Sequence, residues 1–371
     1  MKEMIFTVNP GSTTTKCALF NIIEQKIVRI VEEQIEHPEK EIAQFSTISE
    51  QINYRETIVH KFVDKYLPRD TNIIACAGRG GMLTPVPSGA IKINEELINF
   101  SLHRPVYQHA SNLGAPLAYS IAQRYGIPAF IVDPVSVDEF SSIARISGHP
   151  DFPRFSFVHA LNIRATVHKF AKEIGKDFND ICSVVAHLGG GFSIAAIEHG
   201  KIVDNDNRME SAPFTPERAG GIPPIPLVEA CFSGKYKKEK VLRKLYGEGG
   251  VYAYLGSKNM VELEKRAKQG DSEVQKIYYA MAYQIAKEVA AMASVLNFKI
   301  DGIIITGGLA HDQFLIQELK RKIKKLGKIY LYPGSNENEA LAETVARVLT
   351  GKEGYLTWPI RAGNKERIGN D

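Results

Sequence analysis

Asn9-Pro10-Gly11-Ser12-Thr13-Thr14-Thr15-Lys16 gathers four hydroxyls, an amide, a glycine and an ammonium into eight residues, with no acid among them. Backbone N–H groups and hydroxyls exposed at a turn form a nest for anions, phosphate above all. An ordinary β-hairpin with a polar tip has the same make-up, so the rest of the chain has to decide. Arg79 stands among three glycines in Gly78-Arg79-Gly80-Gly81. Glycine lets ligand and backbone approach closely, although a surface arginine in a flexible loop is the plainer alternative. Gly189-Gly190-Gly191 is an entropically poor linker, and close approach of N–H groups to a second phosphate would justify it. Arg218 lies in a Gly- and Pro-rich loop, and Gly307-Gly308 offers bare backbone against which an adenine or ribose can lie. Asp133 suits Mg²⁺ or a helix cap. His159 is either a satisfied structural histidine or a catalytic one.

Periodicity supplies the elements that must carry these groups. Met4-Ile5-Phe6-Thr7-Val8 reads as a buried strand, with a second at 17–20 and a third at 26–35, turned from the second by Glu24-Gln25. A helical period covers 51–66. A buried strand at 72–77 runs into Gly78, a helix opens at 109–115 and reaches about Tyr125, and a strand at 128–132 delivers Asp133. Ligands of open α/β sheets lie beyond the carboxyl ends of strands, which is where Arg79 and Asp133 stand. A long amphipathic helix begins at Phe157-Val158-His159 and reaches Ile174. Then a strand at 182–188, the glycine turn, a strand at 192–197, a short turn and a strand at 201–205 repeat the order of residues 4–35. Helices follow to Phe298, the longest at 272–297. Strands come at 301–306 and 329–332, residues 335–339 cap a final helix at 340–349, and the tail beyond Gly351 is polar.

The chain of 371 residues is 44% hydrophobic and 24% charged, which is globular and long enough for two domains. Its net charge of +4 is modest, and the basic clusters at 235–244 and 320–328 lie on polar helix faces with a single aromatic, Tyr236, among them. Nucleic acid is therefore not an expected partner. Cys17, Cys76, Cys182 and Cys231 are widely spaced and fit a reducing cytoplasm. Neither a signal-peptide pattern nor a membrane-length apolar run occurs, so the expectation is a soluble cytoplasmic protein without a membrane partner. Walker A and Gly-x-Gly-x-x-Gly patterns are absent, as are the protein-kinase set, the Gly-x-Ser-x-Gly elbow and His-Glu-x-x-His.

Taken in order, these stations resemble the acetate kinase and butyrate kinase family, within the superfamily of sugar kinases, heat-shock ATPases and actin. The motifs are 9–16, Gly78-Arg79-Gly80-Gly81, His109 to Ala115 (HASNLGA), Asp133, His159, His187 to Gly191 (HLGGG), Arg218 to Pro224 (RAGGIPP), Thr306 to Leu309 (TGGL) and Asn336-Glu337. The HASNLGA segment looks like the butyrate kinase branch. The resemblance implies an α/β fold of two duplicated ribonuclease H-like lobes, each on a mixed five-stranded sheet, flanking a nucleotide cleft. Residues 1–140 with 340–371 would form the first lobe and 141–339 the nucleotide-binding second.

By the same resemblance, Asn9, Ser12, Thr14 and Lys16 would surround the transferred phosphoryl group. Arg79 and Arg218 would hold the substrate carboxylate and the transition state, Asp133 and Glu337 (or Glu339) would organise Mg²⁺, and His159 would bond the moving phosphoryl group. His187, Gly189, Gly190 and Gly191 would line the phosphates of ATP or ADP, with Gly307 and Gly308 near the adenosine. Gly81, His109 and Val158 would line the substrate pocket. Gly81 and Val158 stand where acetate kinases carry larger residues, which implies room for a longer acyl chain. Ile163 replaces a second histidine that acetate kinases usually carry. The implied reaction is butyrate + ATP to butyryl phosphate + ADP in a homo-oligomer, dimer or higher. An acetate or propionate kinase of the same fold and a non-catalytic nucleotide-binding module are the rivals. A carboxylate is already a nucleophile at neutral pH, so such an enzyme needs positioning and charge neutralisation and no general base.

Overall fold

The computed structural model describes residues 2–23, 26–207 and 211–360. Among them run the strands β1 (Lys2–Pro10), β2 (Thr14–Ile23), β3 (Lys26–Glu36), β4 (Thr71–Arg79), β5 (Ala90–Lys92), β6 (Ala129–Val132), β7 (Ser183–Leu188), β8 (Phe192–Glu198), β9 (Lys201–Asn205), β10 (Gly302–Gly307), β11 (Ile329–Pro333) and β12 (Tyr355–Thr357). Contacts divide the chain into residues 2–137 with 336–360, and Asp138–Ser335. The Glu24-Gln25 turn expected between β2 and β3 lies outside the described residues.

The first unit holds a mixed sheet of order β12-β5-β6-β4-β1-β2-β3. β1 is antiparallel to β2 and parallel to β4, so it is central, and Met4 to Pro10 form one buried run. A strand covered on both faces needs such a run, whereas β3 at the edge alternates in exposure. The helices Ile52–Tyr66, Gly114–Tyr125 and Glu337–Leu349 pack against this sheet. The sheet has seven strands, where five were expected. The two extra, β5 and the edge strand β12, are three residues each, too short for a periodic signal. β12 also corrects the reading of a polar tail, because Tyr355, Leu356 and Trp358 are buried. The last helix starts at Glu337, three residues before its expected first residue.

The second unit holds a five-stranded sheet of order β11-β10-β7-β8-β9. Its directions repeat those of β6-β4-β1-β2-β3: two antiparallel steps on one side of the first strand and two parallel steps on the other. The duplicated five-stranded core is therefore present in both units. The helix Ser272–Val295 buries Val274, Tyr278, Met281, Ile285, Val289 and Met292 against it at helical spacing. Each fully buried side chain of this size contributes about 1.5–3 kcal/mol. No described helix is long and apolar enough to cross a membrane.

Candidate active site

In the first unit, β1 and β4 end side by side, with Val8 opposite Gly78. Three of the expected residues meet there. Arg79 Nη1 donates to Asn9 Oδ1 at 3.3 Å and to Glu337 Oε2 at 3.0 Å, and Asn9 Nδ2 donates to the same carboxylate oxygen. Glu337 opens the helix Glu337–Leu349, where a negative charge is favourable. Both of its bonds fall on Oε2, and among the described residues Oε1 has no partner. Arg79 likewise keeps Nε and Nη2 unbonded among the described residues.

The glycines around Arg79 have a different reason from the one expected. A Cβ on Gly78 would lie 2.1 Å from the Gly114 carbonyl oxygen, one on Gly80 2.5 Å from Pro134 Cβ, and one on Gly81 2.5 Å from Asn112 Oδ1. Neighbouring chain, and not a ligand, fills those spaces. The loop is thus wedged in place, and of residues 78–81 only Arg79 carries a side chain. The expectation that Gly81 leaves room for a longer acyl chain is corrected on the same ground, because Asn112 occupies that volume. Asn112 is itself fixed, accepting the Met82 N–H at 2.8 Å. His109 caps the adjoining turn, its Nδ1 accepting the Ser111 N–H at 3.1 Å.

Asp133 follows Val132, the register partner of Arg79, so it stands at the next strand end. Its backbone has a φ of 39°, sparsely populated for a non-glycine residue. Gly89 holds it there, donating its N–H to Oδ1 at 2.7 Å and accepting the Asp133 N–H at 3.1 Å. On the hairpin, Lys16 is the register partner of Asn9, so the two side chains share a face. Ser12 and Lys16 are exposed and Thr14 is half-buried.

In the second unit, His159 precedes the helix Ala160–Ile174 as its N-cap residue, so the helix starts three residues after the expected Phe157. Its Nδ1 lies 2.8 Å from Ser193 Oγ, and its ring stacks on His187 with centroids 4.2 Å apart. His187 Nδ1 lies 2.6 Å from Asn162 Oδ1. An amide oxygen only accepts, so Nδ1 carries the proton and Nε2 is the atom turned toward Gly189. A Cβ on Gly189 would stand 3.4 Å from that Nε2. Val158 is fully buried.

The three glycines are not alike. Gly189 and Gly190 have room for a Cβ, whereas one on Gly191 would lie 2.6 Å from Arg218 Nη1 and 3.0 Å from its Cζ. Arg218 therefore lies over Gly191. Thr215 ties the two loops together: its Oγ1 donates to the Gly190 carbonyl at 2.8 Å and accepts the Arg218 N–H at 3.1 Å. Burial lowers the Arg218 pKa from its usual value, with Glu217 and Tyr246 opposing. Among the described residues, the N–H groups of Gly189, Gly190 and Gly191 donate to no backbone carbonyl. Gly307, at φ 90°, packs its backbone on Leu188, and Gly308 beyond it is open.

Sequence reading missed the residues that orient these groups: Asn162 and Ser193 behind the histidines, Thr215 behind Arg218, and Arg55 behind the first hairpin. Arg55 is fully buried, and its position with Val59, Phe62 and Val63 on one helix face was the available signal. Among the described residues, no three His, Cys, Asp or Glu side chains cluster to hold a metal ion.

Residues 157–353 match the family model described as the Acetokinase family. The chain is 41% identical over 354 residues to Butyrate kinase 2 of Clostridium acetobutylicum, covering 95% of this chain and 98% of that protein. It is 41% identical over 350 residues to a probable butyrate kinase of Listeria monocytogenes, covering 94% and 98%. Among solved structures, Porphyromonas gingivalis acetate kinase superposes with a TM-score of 0.71 at 18% identity, over 92% of this chain and 99% of that one. A Francisella tularensis propionate kinase does so with a TM-score of 0.68 at 17% identity, over 92% and 98%. These two likenesses show the fold.

Proposed function

The chain belongs to the acetokinase family, and from that premise we propose that it is the enzyme that moves the terminal phosphoryl group reversibly between ATP and butyrate. That it is an ATP-dependent carboxylate kinase acting on short-chain fatty acids follows from the family and from its kinase relatives. Butyrate as the preferred acid rests on the names of the relatives that match almost end to end. The observation that carries the site is the Asn9–Arg79–Glu337 junction, where a wedged glycine loop presents a single guanidinium with Nε and Nη2 unspent. That edge suits a carboxylate gripped by two parallel hydrogen bonds.

In the reaction, a carboxylate oxygen bonds to the terminal phosphorus as the bond from that phosphorus to the ADP oxygen breaks. The acid is ionised at neutral pH, so no proton has to be removed. Arg79 orients the acid, while Arg218 and the N–H groups of Gly189 to Gly191 offset charge on the phosphoryl oxygens. Preorganised donors of this kind are typically worth about 3–4 kcal/mol each. His187, protonated on Nδ1, places Nε2 toward the same glycines, and His159 is held against it. Asn9, Ser12, Thr14 and Lys16 complete the phosphoryl contacts, with Gly307 and Gly308 beside the adenosine and His109 and Val158 near the acyl chain.

Mg²⁺ keeps most of its waters and needs one or two carboxylates besides phosphate oxygens. Glu337, with Oε1 unbonded, and Asp133, anchored by Gly89, suit it. When bound, the ion would neutralise phosphate charge. We place the protein in the cytoplasm on its four free cysteines. A homo-oligomer suits the large apolar side chains of the helix Pro224–Phe232, which buries no residue and leaves Ile225, Val228 and Phe232 exposed. Hydroxamate trapping of acyl phosphate across acetate, propionate, butyrate and valerate tests the substrate. Butyrate should give the highest kcat/KM, with neighbours within about 10–200-fold. A preference for acetate would overturn butyrate as the substrate, and no acyl phosphate from any acid would overturn the reaction.

A further inference from the structure

Arg55 donates from Nη1 to the Gly11 carbonyl at 2.8 Å, the Thr14 carbonyl at 3.0 Å and Thr15 Oγ1 at 3.1 Å, and from Nη2 to the Ser12 carbonyl at 3.0 Å. Nε and Nη2 also donate to Gln51 Oε1. Every one of these acceptors is a neutral oxygen, and among the described residues no carboxylate bonds to this fully buried cation. A buried charge left without an anion is costly, and a purely structural site would replace it or pair it. Burial lowers its pKa to about 10, so it stays charged at neutral pH.

The carbonyls it grips have a consequence for the other side of the turn. In a trans peptide, C=O and N–H point in opposite directions. With the Gly11 and Ser12 carbonyls drawn inward to Arg55, the N–H groups of Ser12 and Thr13 face outward. Among the described residues neither finds an acceptor. They are two orphan donors beside exposed hydroxyls, with a full positive charge directly behind them.

We propose that Arg55 is a positioning residue of this hairpin: it turns the Ser12 and Thr13 N–H groups outward as an anion nest and supplies the nest's uncompensated charge. The anion it prepares for is the transferred phosphoryl group, so the proposal rests on the hairpin reading given above. The test uses full-length Arg55→Met, Arg55→Lys and Arg55→Gly with Lys16→Ala, measuring thermal melting, ADP affinity by calorimetry, and kcat and KM by hydroxamate formation. Arg55→Met should fold, bind ADP within about threefold of the parent and lose about 100-fold in kcat, the effect of losing one preorganised donor. Arg55→Lys keeps charge without the fork and should stay about tenfold down. Guanidinium ion added to Arg55→Gly should restore part of the loss. Should Arg55→Met not fold, Arg55→Lys and guanidinium rescue decide. Parental kcat in the Met or Lys variant, or losses that follow only the unfolded fraction and resist guanidinium, would overturn the role of Arg55. If Lys16→Ala is inactive while the Arg55 variants work, the hairpin reading stands without Arg55; if Lys16→Ala is also fully active, the hairpin reading itself falls.

Discussion

Replacing Gly191 by Ala separates activity from stability in a way the structure lets one calculate. The new Cβ would sit 2.6 Å from Arg218 Nη1, where ordinary contact begins at 3.4 Å, so the guanidinium must retreat by about 0.8 Å. The atom that must move is the far end of a flexible side chain, so the fold can adapt cheaply. Gly191 is not among the positive-φ glycines, and alanine there also restricts the unfolded chain, by about 0.4–1 kcal/mol in favour of folding. The melting temperature should therefore hold or rise. Catalysis should not hold. A displacement near 1 Å of a positioning group costs about 100-fold, or about 2.7 kcal/mol of barrier. The assay is hydroxamate formation with butyrate, ATP and Mg²⁺, giving kcat/KM alongside a thermal melt. Gly190→Ala is the control, since its Cβ would meet only Glu217 Oε1, at 3.7 Å. Its effect should appear as weaker nucleotide binding. A Gly191→Ala enzyme with parental kcat/KM would show that the Arg218 guanidinium does not need that place, and the role given to it would be wrong.

Three further outcomes follow from the same geometry. Gly81→Ala brings a Cβ within 2.7 Å of the Asn112 Cα, which cannot swing aside. Denaturant unfolding should show a loss of about 1–3 kcal/mol, with the butyrate-to-acetate ratio of kcat/KM unchanged; a shifted ratio would restore the acyl-pocket reading. Arg79→Ala should cut acyl phosphate formation by about 100- to 1,000-fold with ADP affinity kept, and a loss of ADP binding would move Arg79 to the nucleotide. His37, bonded to Thr15 Oγ1 and Tyr54, has its pKa lowered from 6.5 to about 4, first by burial and then by Arg55. Because the unfolded chain takes up that proton first, stability should be complete above pH ~6.5 and fall as pH drops toward ~4. Chemical denaturation of His37→Gln across this window should give a flatter curve, and an unchanged slope would assign the pH dependence elsewhere.

Much of this molecule could be read before its coordinates, for definable reasons. Buried strands such as Met4 to Val8 and the β7 segment announce themselves as apolar β-branched runs, and the repeated strand–turn–strand order made the duplicated core legible. Local chemistry is equally visible: an arginine among glycines or a triple glycine stands out whatever surrounds it. What could not be read is which neighbour each glycine answers to. Gly78, Gly80 and Gly81 carry no side chain because Gly114, Pro134 and Asn112 press on them, residues 31 or more positions away. The three-residue strands β5 and β12 were equally hidden, since so short a segment is made a strand by its partner.

By itself, then, the sequence determined the order of the strands, the doubled core and the residue types available for holding phosphate and carboxylate, because periodicity and side-chain chemistry are local properties. Only the tertiary structure decided that Glu337 joins Asn9 and Arg79, and that Arg218 lies over Gly191. It alone turned a helical arginine, Arg55, into the clasp of a hairpin more than 40 residues earlier. Those are meetings of residues distant along the chain. They are set by how sheets and helices pack, which no single stretch of residues encodes.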